Sequence, residues 1–245
     1  MISAKSLKET YYKAQFEPGI VGLFINPFYF ARKGLYQHIK TLSPSIKGKI
    51  LDVGCGQKPY QHFYPGSDYI GLEIGSLKTS PNKMADYFYN GDRFPFADQD
   101  FDSVVTNQVF EHVFNPEQFL SEVYRVLKPE GLLLLTVPFV WDEHEQPIDY
   151  ARYSSFGLKH ILEANGFQVL EQRKSMADVR TLFQLINGYL YKKTVTKSNV
   201  LNSLITLVLM SPLNMLGELL AIILPKNEDL YLDNIVLARK MVNLS

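Results

Sequence analysis

The 245-residue chain is predicted to be an α/β protein: a doubly wound, mostly parallel sheet, preceded by N-terminal helices and interrupted by a helical insert before its last strand. Three observations predict this. From Lys49 onward short apolar runs alternate with amphipathic helical patterns, the signature of strands buried on both faces of a parallel sheet. The first of these runs ends in a glycine turn at Gly54 and Gly56. The last run is separated from the one before it by helical periodicity over residues 177–224.

Taken in order, residues 1–46 read as a helical extension of two pieces set off by the turn-prone Glu17-Pro18-Gly19 and Asn26-Pro27. The second piece carries Phe28, Leu35, Ile39 and Leu42 at helical spacing. Strands are expected over Ile50–Val53, Tyr69–Ile74, Phe101–Thr106 and Leu132–Val137. Between the last two, Asn115 is placed to cap a helix, Pro116 suits its first turn, and Phe119, Leu120, Val123, Tyr124 and Leu127 form its apolar face. Lys128-Pro129-Glu130-Gly131 ends that helix. Another begins near Ser154 or Ser155 and stops at Asn165-Gly166, a favourable C-terminal pair. Phe167–Leu170 resumes as strand, the insert shows Leu182, Leu185, Ile186, Tyr189 and Leu190 on one helix face, and Leu230–Arg239 closes the sheet. Residues 47–245 are thus read as one domain carrying an insert at 177–224.

Composition narrows the function. Lys plus Arg equals Asp plus Glu at 25 each, so no global field recruits a polyanion, and nucleic acid is not an expected partner. The single cysteine, Cys55, has no partner for an internal disulfide. The N-terminal residues lack the apolar core of a secretory signal, and a cytoplasmic location is expected.

Residues 50–56, ILDVGCG, read as a buried strand running into a turn where Gly54 and Gly56 let a ligand approach the backbone. Glu73 ends the next strand 19 positions after Gly54, where a carboxylate can accept hydrogen bonds from both ribose hydroxyls of a nucleoside. Pro59 occupies the third glycine position of the dinucleotide fingerprint, which disfavours NAD. Asp52 beside the turn suits a cationic amino group and not a pyrophosphate. S-adenosylmethionine (SAM), which has an ammonium and no phosphate, meets both conditions.

With PFADQDFD at 95–102, EH at 111–112 and RVLKPEG at 125–131 in the same order, the chain resembles the class I SAM-dependent methyltransferases, particularly the type 11 group. The resemblance covers roughly residues 45–175 and implies a Rossmann-like fold. It implies that Asp52, Gly54, Cys55 and Gly56 surround the methionine end and Glu73 holds the ribose. Asn90, Gly91 and Asp92 would flank the adenine, and Asn107 and Gln108 would close the site. The sequence departs from the group's pattern at Asn90, where an acid is usual, and at Glu130, where glycine is usual.

Methyl transfer needs a positioned nucleophile and, for a hydroxyl acceptor, a base. His144 is the first candidate base, because it lies among carboxylates in a loop leaving a buried strand. His112 of the EH pair is the second, and Asp149 lies in a polar cluster with Arg152 and Tyr153. No metal-ligand spacing is present, so no metal is expected. The acceptor is read as a small molecule or glycan, because residues 138–154 resemble bacterial methyltransferases of surface-polysaccharide synthesis. A lipid-linked acceptor at a membrane surface and a non-catalytic SAM-binding module are the alternatives.

Residues 200–224 are the most apolar of the chain, but Asn202, Ser211, Asn214 and Glu218 interrupt them short of the about 18 uninterrupted apolar residues of a spanning helix. The insert is therefore expected to cover the substrate site or form a homodimer surface, with peripheral membrane contact as the alternative.

Overall fold

The computed structural model describes residues 14–75 and 84–242. Seven strands, β1 (Lys49–Val53), β2 (Asp68–Ile74), β3 (Tyr87–Tyr89), β4 (Phe101–Asn107), β5 (Leu127–Pro138), β6 (Phe167–Lys174) and β7 (Asp233–Lys240), form one sheet. Their order is β3-β2-β1-β4-β5-β7-β6. The pairs β1–β2, β1–β4, β2–β3 and β4–β5 are parallel. Chain direction across the sheet reverses at β1, which has β2 on one side and β4 on the other, and such a switch point opens a crevice beyond the strand ends.

The helices are α1 (Ile20–Ile25), α2 (Tyr29–Leu42), α3 (Pro116–Val126), α4 (Ser155–Ala164), α5 (Arg180–Thr194) and α6 (Asn199–Ile223). The first helical piece read before Glu17 falls mainly on residues 1–13, outside the described residues. The chain divides into two compact units. One contains Ile39–Phe139, Glu143–Arg173 and the chain from Asn234; the other contains the chain up to His38, Val140–Asp142 and Lys174–Asp233.

In the first unit Leu51, Val53, Leu72 and Val104 of the sheet bury against Leu120 and Val123 of α3. Each such side chain contributes roughly 1.5–3 kcal/mol of transfer free energy. Asn115 precedes α3 as expected, but its side chain makes no capping bond. Ser154 does cap α4, accepting from the Gly157 amide at 3.2 Å.

Four strands differ from expectation. β3 was invisible because three partly exposed residues are too few to show an alternation. β6 runs on to Lys174, and β7 begins at Asp233 rather than Leu230. β5 begins at Leu127, before the turn: Phe101 pairs with Leu127 and Ser103 with Leu132, so Lys128–Gly131 bulge out of the ladder. Glu130 in this bulge has φ 62°, a left-handed conformation in which a Cβ is strained. Glu130→Gly is expected to stabilise the protein by about 1 kcal/mol. That raises Tm by roughly 2–4 °C, and calorimetric scans of the two proteins check it.

The second unit is organised differently. The side chains buried on α5 are Thr181, Gln184 and Asn187, whereas Leu182, Ile186 and Tyr189 are exposed. The apolar face read from the sequence therefore points outward. The polar residues inside bond to backbone and to one another, with Asn187 Oδ1 left unpartnered among the described residues. Gln184 Oε1 accepts from the Phe30 amide at 3.0 Å, its Nε2 donates to the Pro27 carbonyl at 3.1 Å, and Asn187 Nδ2 donates to Asn214 Oδ1 at 2.8 Å.

Residues 199–223 form one 25-residue helix. It widens into a π-helical turn at Thr206–Met210 and stays helical at both junctions. Pro212, which follows, has no N–H to donate to the preceding turn. By length and composition this helix is sufficient to cross a membrane, contrary to the sequence reading.

Candidate active site

The segments expected to hold the cofactor all follow strand ends at the carboxyl edge of the parallel strands, in the first unit. After β1 the chain turns at Gly54 (φ 72°) and Gly56 (φ 52°), both left-handed. A Cβ at Gly54 would stand 2.3 Å from Val109 Cγ2, so packing and conformation both require glycine there. A Cβ at Gly56 would meet nothing within 4 Å among the described residues. Gly56 thus borders open space, the cradle that a close-lying ligand requires.

Glu73 lies near the end of β2 and is buried. Its Oε2 accepts from the Gly56 amide at 3.1 Å and its Oε1 from the Ile74 amide at 3.1 Å. The ribose-binding candidate and the glycine turn are therefore adjacent. Asn90, Gly91 and Asp92 follow β3 and are exposed. Asn90 Nδ2 donates to Asp92 Oδ2 at 3.0 Å, so the two side chains form one polar pair. Asn107 ends β4 and Gln108 follows it with φ 55°. Gln108 donates from its amide to the Thr136 carbonyl at 3.0 Å, tying this turn to β5.

Asp52 is buried, and its Oδ2 accepts from the Tyr69 hydroxyl at 2.5 Å. Burial pushes its carboxyl up to about 7, against the pull of that hydrogen bond. Burial also pushes the Cys55 thiol up to about 12, so Cys55 is no nucleophile at neutral pH. Tyr69, and the Lys58–Asp86 ion pair that also receives the Gly71 amide, were not read as site residues. Strand periodicity marks Tyr69 as an ordinary β residue, and Asp86 has no motif around it.

Beyond β4 and β5 the candidate bases come together. Glu111 and His112 lie on a 3-10 turn (Phe110–His112), and the Glu111 carbonyl accepts from the Tyr150 amide at 2.9 Å, which brings the 143–153 loop alongside. The His112 and His144 rings meet edge to face at 4.9 Å. Glu111 is fully buried, with its Oε1 3.8 Å from His112 Nε2 and 3.9 Å from His144 Nε2. His112 Nδ1 lies 2.8 Å from the Ile148 carbonyl. His144 Nδ1 lies 3.2 Å from Asp149 Oδ2, and the same carboxylate oxygen accepts from the His144 amide at 2.9 Å.

Arg152 forks onto Asp149 with contacts of 2.5 and 2.6 Å. It holds that carboxyl down at about 2. Asp149 is thus ionised throughout the physiological range, with Arg152 as its partner. The ligand atoms of Glu111, His112 and His144 lie within 4.8 Å of one another, a spacing that would also admit a divalent cation, although no sequence motif marked one.

Residues 51–135 match the family described as a methyltransferase domain. Over residues 51–135 the chain is therefore similar to SAM-dependent methyltransferase domains. A probable S-adenosylmethionine-dependent methyltransferase of Mycolicibacterium smegmatis is 27% identical over 168 residues, which are 62% of this chain and 64% of that protein. The chain thus spans under two thirds of that relative's length. Among solved structures, the phosphoethanolamine N-methyltransferase 2 of Haemonchus contortus in complex with SAM has a TM-score of 0.54 at 16% identity. The alignment covers 95% of this chain and 60% of that one. The [4+2]-cyclase SpnF has a TM-score of 0.53 at 16% identity, covering 98% and 97%. Likeness at such identity extends to the fold alone, and a cyclase among the neighbours illustrates that the fold by itself does not name a reaction. For the methyltransferase domain, the glycine cradle against Glu73 is the feature that fits a nucleoside cofactor, SAM.

Proposed function

We propose that the whole chain is an active methyltransferase that places the SAM methyl on an acceptor hydroxyl of a small molecule or glycan. One observation carries the proposal: the glycine turn, with open space beside Gly56, abuts the Glu73 carboxylate at the sheet's switch point, and a pair of histidines flanked by carboxylates follows the neighbouring strands. SAM, when bound, supplies a methyl group already activated on a sulfonium.

The remaining work falls to the protein. Glu73 receives the ribose hydroxyls, Asp52 faces the ammonium, and Asn90 to Asp92 border the adenine. Asp149, pinned by Arg152, orients His144 through Nδ1 and leaves Nε2 to take the acceptor's proton. The carboxylates of Asp149 and Glu111 on either side of the ring stabilise the imidazolium that forms. His112 is the second proton acceptor of the pair.

Calorimetry tests the cofactor assignment with a definite sign. Asp52, raised to about 7, is half protonated near neutrality. An arriving ammonium favours the ionised carboxylate, so binding at pH 7 releases a proton and affinity falls as pH drops from 8 to 6. Titrations with SAM in two buffers of different ionisation enthalpy are expected to show that proton release, and NAD is expected not to bind. Binding of NAD without SAM would remove the cofactor assignment, and SAM binding without proton release would move the ammonium away from Asp52.

A further inference from the structure

In the second unit α1, α5 and α6 bury mainly small and polar side chains and expose many apolar ones, while Tyr29, Phe30, Met176 and Leu232 make a small buried apolar cluster with Leu23 and Phe183 packed against it. The buried side of α6 consists of Thr206, Met210, Ser211, Asn214 and Gly217. Asn214 Nδ2 donates to the Leu23 carbonyl at 3.0 Å, and a Cβ at Gly217 would come within 2.7 Å of the Phe30 ring, so this side is closely packed. The outward side carries Val200, Val208, Leu219, Ile222 and Ile223, with Val200 73% and Ile222 83% exposed. Glu218 is the only charged residue between Lys197 and Lys226, and it faces inward to Lys33 at 2.5 Å and Arg180 at 3.6 Å. The outward side of α6 therefore bears no charge over a helix of about 37 Å. The pattern recurs on α1, where Ile20 is 82% exposed while Gly22 is buried, and on α5.

Water selects the opposite arrangement, and exposing this much contiguous apolar surface to it is unfavourable. A partner protein would explain one apolar patch with a polar rim. It does not explain three helices, α1, α5 and α6, that bury mainly small, hydroxyl and amide side chains, Met210 excepted, and turn most of their Leu, Ile and Val outward. That distribution is the one hydrocarbon selects, where helix contacts are made by small residues and by Asn or Ser hydrogen bonds. Charge agrees with it. Lys193 and Lys197 are exposed just before α6 and Lys226 just after it, where long basic side chains reach headgroups.

The chain leaves β6 through α5 and returns through α6 to β7, the strand beside β6. α5, at about 22 Å, is too short for a hydrocarbon core of about 30 Å. A hairpin that leaves and rejoins adjacent strands, with one arm too short, does not need to cross. We propose that this helical unit inserts into one leaflet of a lipid bilayer, with the outward side of α6 among the acyl chains and the flanking lysines among anionic headgroups. This inference goes beyond methyl transfer and does not depend on it.

The test is flotation of the full chain with phosphatidylcholine vesicles, with and without phosphatidylglycerol, beside the variant L219D/I222D, whose positions are both exposed. SAM calorimetry on each protein serves as an independent check of folding. The wild type is expected to float with vesicles, more so with phosphatidylglycerol. The variant is expected to lose at least about tenfold in the floated fraction while keeping its SAM affinity. The proposal is overturned if SAM-binding wild type stays in the dense fraction or if folded variant floats equally well. It is also overturned if the lipid-free wild type is a stable dimer that the substitutions dissociate, which would give the face to a second copy. A wild type that floats but does not bind SAM keeps the membrane inference and removes the methyltransferase reading.

Discussion

His144→Ala is expected to lower kcat by roughly 10²- to 10⁴-fold, the usual range for a general base, with little change in SAM affinity. The backbone contact of residue 144 to Asp149 survives the substitution, so the loop keeps its anchor. Steady-state kinetics and SAM calorimetry of His144→Ala and His112→Ala check this. If His112→Ala carries the loss instead, the roles exchange; if neither does, the acceptor needs no base. Because Glu111 and both histidines also have cation-compatible spacing, each assay is to be repeated after chelation. Activity that survives chelation supports the proton-transfer reading, and a loss restored by a divalent cation would replace it.

Glu73→Ala is expected to weaken SAM binding by about 10- to 150-fold, the equivalent of one charge-assisted hydrogen bond of roughly 1.5–3 kcal/mol. The carboxylate also receives the Gly56 amide, so its loss loosens the cradle as well as the ribose contact. Glu73→Gln separates these effects: it keeps an acceptor for Gly56 but removes the charge, and should lie between wild type and alanine. Calorimetry gives the affinities, and thermal unfolding shows whether the fold persists. An unchanged Kd in Glu73→Ala would place the ribose elsewhere.

The candidate cofactor side was legible in the sequence because its signals are local. A strand that must turn sharply at its end needs glycines, and both Gly54 and Gly56 take the left-handed conformation that this requires. Glu73 was legible from its place at the end of the next buried run. The partners of those residues were not. Tyr69 reaches Asp52 because β1 and β2 pair in a register that the sequence does not print, and the Lys58–Asp86 pair spans 28 positions of chain. The two histidines were each visible as candidates, but their ring contact depends on the 143–153 loop folding back onto the turn at Glu111.

What the sequence by itself determined is the order of most elements, β3 excepted, and the placement of the candidate residues at the strand ends, since hydrophobic period, glycine turns and acidic residues at strand ends act within a few residues of themselves. What only the tertiary structure decided is which way the helical insert faces. An apolar stripe on α5 reads the same whether it is destined for a protein core or for a nonaqueous surrounding. The choice is made by Gln184, Asn187 and Asn214, whose amides find partners inside the unit, on chain segments as far as 191 positions away. Buried amides must be satisfied, and satisfying them turned the leucines and isoleucines outward.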